Sequence, residues 1–151
     1  MNNLVNNHIY ITATTFFQAA EVLWGSGRSN FAYPIIMNYA FACELTLKSM
    51  LSQTTPSKMS PDGILGLTST TSKHGHQLDK LFNQLPSELK DKIEKNFSEN
   101  CEYDLNSLLN KCSKYFESSR YVYEKKGISH NLTEMRTLTT KLINTVKKIE
   151  N

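Results

Sequence analysis

The sequence predicts an all-α domain, an up-and-down bundle of five to six helices. Two observations lead to this prediction. Along most of the chain apolar residues recur at steps of three and four, which is the spacing of amphipathic helices, and no segment has the strong alternation of a strand. The length of 151 residues suits a single domain, residues 1–151, with a core of its own.

The central helix of this bundle is predicted over residues 31–51, where apolar residues cover a broad arc of the helix surface. Glu44 and Lys48 fall within that arc, so at least the stems of two charged side chains should be buried. Because a buried charge is costly unless it is paired, we expect a partner. Two readings stay open: an i,i+4 ion pair at the edge of the core, and a role in a functional site.

The other helices show the same periodicity. Gly25-Ser26-Gly27 ends the first helix, and the short connection predicts that the first two helices are antiparallel neighbours. Asp104 and Asn131 are expected to cap the last two helices. The segment 52–73 is rich in Ser, Thr, Pro and Gly, and we expect a mobile loop there. The helical patterns cover residues 4–24, 78–85, 87–97, 105–123 and 131–149.

Composition bounds the class of protein and its compartment. Hydrophobic residues at 39% and charged residues at 21% are typical of a soluble globular domain, and the net charge of +3 permits nucleic acid as a partner without indicating it. No apolar run reaches the length of about 20 residues that spans a bilayer, and the segment MNNLVNNHIY lacks the basic start and continuous apolar stretch typical of a signal peptide. We therefore expect a cytoplasmic protein with no membrane association. Three cysteines without CxxC spacing predict reduced packing thiols, and we expect neither a metal site nor a cofactor.

Three segments carry a resemblance to a known family: ELTLKSML, KHGHQLDKLFNQL and FESSRYVYE, in this order. Together with the variable segment after the central helix, they resemble the HEPN superfamily, named for higher eukaryotes and prokaryotes nucleotide-binding. The resemblance extends over about residues 8–147. It implies an α-helical bundle, often a dimer, of the kind found in bacterial toxin–antitoxin and phage-defence systems. Active members of the superfamily are metal-independent ribonucleases.

The chain departs from the ribonuclease signature of that superfamily, an Arg followed after four to six residues by a His. Arg120 is followed by no His in that window, and His130 comes later, beyond Gly127. Two functions therefore stay open. The first is an HEPN-like protein that acts on or binds RNA or nucleotides. The second is a non-catalytic helical module for dimerisation or protein interaction. The partners implied are RNA or a nucleotide, a second copy of the chain, and a cognate protein.

Ribonuclease chemistry without a metal needs a base for the 2′-hydroxyl and a cation for the phosphate. Arg120 is the candidate cation, and His76 and His130 are the candidate bases, with His74 beside them, because the histidine pKa lies near neutrality. The alternative for His74 and His76 is a helix-start cap or a structural hydrogen bond. For His130 the alternative is an exposed loop residue.

Arg120 has a second reading, which we favour: a guanidinium can bond the Glu44 carboxylate at two points, so Arg120 is the predicted buried partner of Glu44. Tyr121 and Tyr123 beside the Arg could stack on bases, or pack in a core or interface. The predicted binding or structural polar cluster comprises Glu44, Lys48, His74, Tyr121, Tyr123 and Glu124.

Overall fold

The computed structural model describes residues 5–56, 67–71, 75–99, 101–124 and 129–150. The described chain folds as an all-α bundle, as predicted, with one small β-hairpin. A 3-10 turn, Ser29–Phe31, connects the first two helices, and none of the described helices is long and apolar enough to cross a membrane. The helices are α1 (Asn7–Gly25), α2 (Ala32–Leu51), α3 (Leu78–Asn83), α4 (Ser87–Ser98), α5 (Leu105–Cys112), α6 (Tyr115–Arg120) and α7 (Leu132–Glu150).

Helix α2 is the central element, as its wide apolar arc predicts. It packs against α1, α3, α6 and α7, and burial continues along most of its length because neighbours cover it on several sides. The helical pattern predicted over residues 131–149 is also confirmed in α7, four of whose apolar side chains are fully buried. Burial of such side chains is the main stabilising contribution to a bundle of this kind. The fully buried side chains of α2 and α7 in the core include Ile36, Tyr39, Ala40, Cys43, Leu47, Met135, Leu138, Leu142 and Val146.

Two helix starts are capped as predicted. The Asp104 carboxylate accepts a hydrogen bond of 2.8 Å from the Ser107 backbone N–H, and the Asn131 side chain accepts one of 2.9 Å from the N–H of Glu134. Each cap satisfies a backbone donor that the first turn of a helix leaves without an intrahelical acceptor.

The single helix predicted over residues 105–123 is wrong, because α5 ends at Cys112 and α6 begins at Tyr115. The cause is tertiary. The Ser113 carbonyl accepts a hydrogen bond of 3.3 Å from the Leu78 N–H, and the Ser113 hydroxyl donates to the Asp79 carboxylate. Ser113 is thus bonded to the start of α3.

The loop predicted over residues 52–73 is wrong for two segments. Strands β1 (Ser52–Pro56) and β2 (Leu67–Thr71) form an antiparallel pair in which Ser52 lies opposite Thr71. The threonines of both strands explain the difference, since a β-branched residue favours extended backbone even in a run whose composition resembles a loop. Residues 57–66 and 72–73 lie outside the described residues.

Candidate functional site

The buried carboxylate of Glu44 on α2 is the centre of the candidate site. Glu44 is only 1% exposed, and its Oε1 atom accepts a hydrogen bond of 2.7 Å from Lys48 Nζ. The Nδ1 atom of His76 lies 3.0 Å from both carboxylate oxygens. The predicted i,i+4 pair with Lys48 is therefore confirmed. The further partner that the buried charge required is a histidine that follows Glu44 by 32 positions.

The prediction that Arg120 is the buried partner of Glu44 is wrong. Arg120 is exposed at the end of α6, and its guanidinium carbon lies 4.6 Å from the ring centroid of Phe116 and 5.3 Å from that of Tyr121. The Glu44 carboxylate is instead hydrogen-bonded to Lys48 and His76. In addition, the break between α5 and α6 removes the continuous helical face on which Arg120 was predicted to lie. The arginine is thereby left available to solvent.

Arg120 and His76 both contact the ring of Phe116. The His76 and Phe116 rings are 5.3 Å apart between centroids, and Phe116 stacks on Phe41 of α2 at 4.8 Å with an interplanar angle of 16°. Stacking on Phe41 fixes the Phe116 ring, while the cation–π contact holds the Arg120 guanidinium against that ring. A candidate base and a candidate cation thus share one aromatic support.

One ring nitrogen of His76 is paired with Glu44, while much of the side chain remains exposed to solvent. Its side chain is 44% exposed and lines a cavity of about 330 Å³ between the start of α3 and α6. Gly75, with φ 117°, precedes it, and this backbone conformation favours glycine. With the carboxylate at Nδ1, the proton of a neutral ring belongs on Nδ1, and the Nε2 lone pair is free to accept a proton.

A second, larger cavity of about 500 Å³ adjoins this one. Gln77 and Glu117 line both cavities, so the two share a wall. The larger cavity lies where the start of α3, the end of α5 and the start of α6 meet. Its lining is polar, with amides, hydroxyls and charges of both signs.

His130 is packed at a different place from His76. The Ser118 hydroxyl lies 2.8 Å from His130 Nε2, and the Tyr115 ring approaches edge-on with centroids 4.9 Å apart. Burial lowers the pKa of His130. The reading of His130 as an exposed loop residue is wrong, because the ring is half-buried. No described contact joins it to Arg120 or His76.

The predicted polar cluster is only partly assembled. Glu44 and Lys48 belong to it, and Tyr121 contacts Arg120 instead. Tyr123 and Glu124 are exposed beyond α6, and no described hydrogen bond connects their side chains with Glu44 or Lys48. That Tyr123 and Glu124 belong to this cluster therefore stays a prediction. His74 lies outside the described residues.

Sequence reasoning missed a second polar cluster, which links α1, α2 and α7. The Nε and Nη2 atoms of Arg136 each donate a hydrogen bond of 2.9 Å to the Glu21 carboxylate, and the buried Tyr39 hydroxyl donates one of 2.5 Å. These hydrogen bonds, above all those of Arg136, lower the pKa of Glu21, while burial and Glu21 raise the pKa of Tyr39. Arg136 also lies over the Trp24 ring at 4.8 Å. One signal was present: Glu21 is the only Asp, Glu, Lys or Arg within α1.

In the described part of the chain, no group of three or more His, Cys, Asp or Glu side chains could hold a metal ion. The site presents a histidine paired with a buried carboxylate and an exposed arginine, both against the Phe116 ring. Comparisons of the chain with protein-family models, curated proteins and solved structures give no match. The HEPN resemblance therefore stays a prediction.

Proposed function

We propose that the protein is an HEPN-like protein that acts on RNA, with His76 and Arg120 at the phosphodiester. The observation that carries the proposal is the Glu44–His76 pair, in which a buried carboxylate holds Nδ1 at 3.0 Å while the side chain remains 44% exposed. A carboxylate that orients a histidine is a common way to prepare a general base. With the resemblance, this makes a toxin–antitoxin or phage-defence component the expected biological setting.

In the proposed reaction, His76 Nε2 takes the proton of a ribose 2′-hydroxyl. The 2′-oxygen then bonds to the adjacent phosphorus, the bond from phosphorus to the 5′-oxygen breaks, and water supplies the proton to that leaving oxygen. The products are a 2′,3′-cyclic phosphate and a 5′-hydroxyl. Glu44 stabilises the imidazolium that forms, because it lies within hydrogen-bond distance of the other ring nitrogen.

Arg120 supplies the positive charge for the phosphate. The guanidinium is exposed and rests on Phe116, the ring that also contacts His76. An arginine can donate two parallel hydrogen bonds to phosphate oxygens. Such a pair would stabilise the negative charge that develops on these oxygens during cleavage. In this proposal His76 takes the place of the histidine that the superfamily signature would require after Arg120.

The test is cleavage of single-stranded and structured RNA by purified protein in the presence of a chelator. We expect His76→Ala and Arg120→Ala each to lower the cleavage rate at least about 100-fold, the usual minimum for loss of a general base or of a donor that stabilises developing charge. Matched controls are His8→Ala, an exposed histidine on α1, and Arg28→Ala, whose guanidinium lies over Phe31 at 4.7 Å in a similar cation–π contact. Cleavage that survives both site substitutions in folded protein would reject the proposal.

A second candidate is a non-catalytic module that forms a homodimer or binds a cognate protein. The observation that favours it is the outer face of α1, where Ile11 is 63% and Val22 is 75% exposed. Apolar side chains at such exposure are typical of an interaction surface when they share a face. Light scattering of wild type and of Ile11→Glu/Val22→Glu tests this function: a wild-type dimer that the double variant dissociates, with no RNA cleavage by either protein, would favour it.

A further inference from the structure

The polar cavity of about 500 Å³ between α3, α5 and α6 is not used by the proposed base and cation. We propose that it binds one unpaired nucleotide of the RNA substrate, with a preference for bases that carry an exocyclic amino group. This inference rests on the proposed function, because it places a nucleotide beside the bond at which His76 acts. The cavity volume lies within the range of about 300–1,000 Å³ that small-molecule sites occupy.

The walls of this cavity are held in place by hydrogen bonds. The Ser113 hydroxyl donates to Asp79, which ties α5 to α3. The Tyr115 hydroxyl accepts a bond of 3.2 Å from the Asn131 N–H, and the Ser118 hydroxyl lies 2.8 Å from His130 Nε2. A pre-formed polar cavity loses little conformational entropy when a ligand enters it.

Four other lining side chains have no hydrogen bond to any described residue. They offer the two kinds of group that a nucleotide needs. The amides of Gln77 and Asn110 can each donate and accept, the Glu117 carboxylate accepts, and the Lys114 ammonium donates and carries positive charge. Lys111, by contrast, is already paired with Glu134 at 3.1 Å.

The chemistry of these groups selects the ligand. A carboxylate accepts hydrogen bonds from amino groups on a base edge, and amides pair with edges that present a donor beside an acceptor. Guanine, adenine and cytosine have an exocyclic amino group and uracil has none. Lys114 can pair with the phosphate, so Glu117 is expected at the base and not at the backbone.

The cavity lies next to the cavity of His76, because the two have lining residues in common. Gln77 and Glu117 line the larger cavity and also the cavity of about 330 Å³ that contains His76. A base bound between Gln77 and Glu117 would place its own ribose or the next phosphate at His76. Only an unpaired base can enter, because in a duplex the edges that would contact Glu117 are hydrogen-bonded to another base.

The experiment is calorimetric titration of the full chain with the 5′-monophosphates of guanosine, adenosine, cytidine and uridine, and with inorganic phosphate. We expect the three amino-bearing nucleotides to bind at least tenfold more tightly than uridine monophosphate or phosphate. Asn110→Ala and Glu117→Gln should each weaken their binding at least fivefold. Both residues are exposed, so the folded state should survive, which circular dichroism checks.

Asn106→Ala on the same helix and Glu102→Gln are the matched controls, and both should bind as wild type does. The titration measures mononucleotide binding without any cleavage, so the subsite and the proposed catalysis fail separately. Equal binding of all four nucleotides, no binding at all by wild type, or full binding by both Asn110→Ala and Glu117→Gln would overturn the inference, whatever the cleavage assay gives.

Discussion

Replacement of Glu44 by Gln tests how the buried carboxylate contributes to stability. Glu44 accepts two charge-assisted hydrogen bonds, at 2.7 Å from Lys48 and 3.0 Å from His76. Hydrogen bonds to a charged group contribute about 1.5–3 kcal/mol to stability, and bonds between neutral groups contribute about 0.5–1.5 kcal/mol. Replacing the carboxylate with an amide should therefore reduce the contribution of each bond by about 1 kcal/mol. An amide is easier to bury than a carboxylate, which offsets part of this loss. We expect Glu44→Gln to lower the free energy of unfolding by about 1–2 kcal/mol.

The assay is urea denaturation at neutral pH, followed by circular dichroism, with the unfolding free energy extrapolated to water. Glu88→Gln is the matched control, because Glu88 makes the same i,i+4 pair with Lys92 at 3.0 Å on an exposed face of α4. That variant should lose less than about 0.5 kcal/mol. If Glu44→Gln were as stable as wild type, or more stable, the charge-assisted bonds would not exceed the cost of burying the carboxylate, and the reasoning would be refuted.

Two other predictions concern the bundle. Because hydrogen bonds from Arg136 lower the pKa of Glu21, their stabilisation should be complete above the ordinary Glu pKa and lost as the pH falls through the lowered one. The difference in unfolding free energy between wild type and Arg136→Met should therefore shrink from about pH 7 to about pH 3, and a constant difference in denaturation curves would contradict this. Leu138→Ala removes a fully buried side chain of α7 and should cost about 2–5 kcal/mol, measured by the same denaturation assay; a loss below about 1 kcal/mol would show that the cavity collapses.

The helices and their buried faces could be predicted because they depend on local periodicity. The burial of Glu44 and its pairing with Lys48 followed from positions on one helix. The partner across the bundle could not be predicted in the same way, because Arg120 and His76 were both chemically suited to a carboxylate. The choice depended on tertiary packing: the helix is interrupted at Ser113, and Ser113 is hydrogen-bonded to the start of α3, far away in sequence.

The same limit applies to the cluster of Glu21 and Arg136. The lone charge on α1 was visible in the sequence, but which of the chain's cations would reach it depends on how α7 packs beside α1. The pairing of β1 with β2 was not predicted for another reason: a composition rich in Ser and Thr is common to loops and to extended strands. Local sequence patterns thus predicted the helices, whereas the pairing of charges between helices depends on tertiary packing.

The claim that Glu44 acts through His76 is tested most directly by RNA cleavage rates of wild type, Glu44→Gln, His76→Ala and the double variant. If Glu44 orients and stabilises the His76 base, each single variant is slower than wild type, and Glu44→Gln has no further effect once His76 is removed. Losses that add independently in the double variant, or a wild type that does not cleave RNA, would contradict the account.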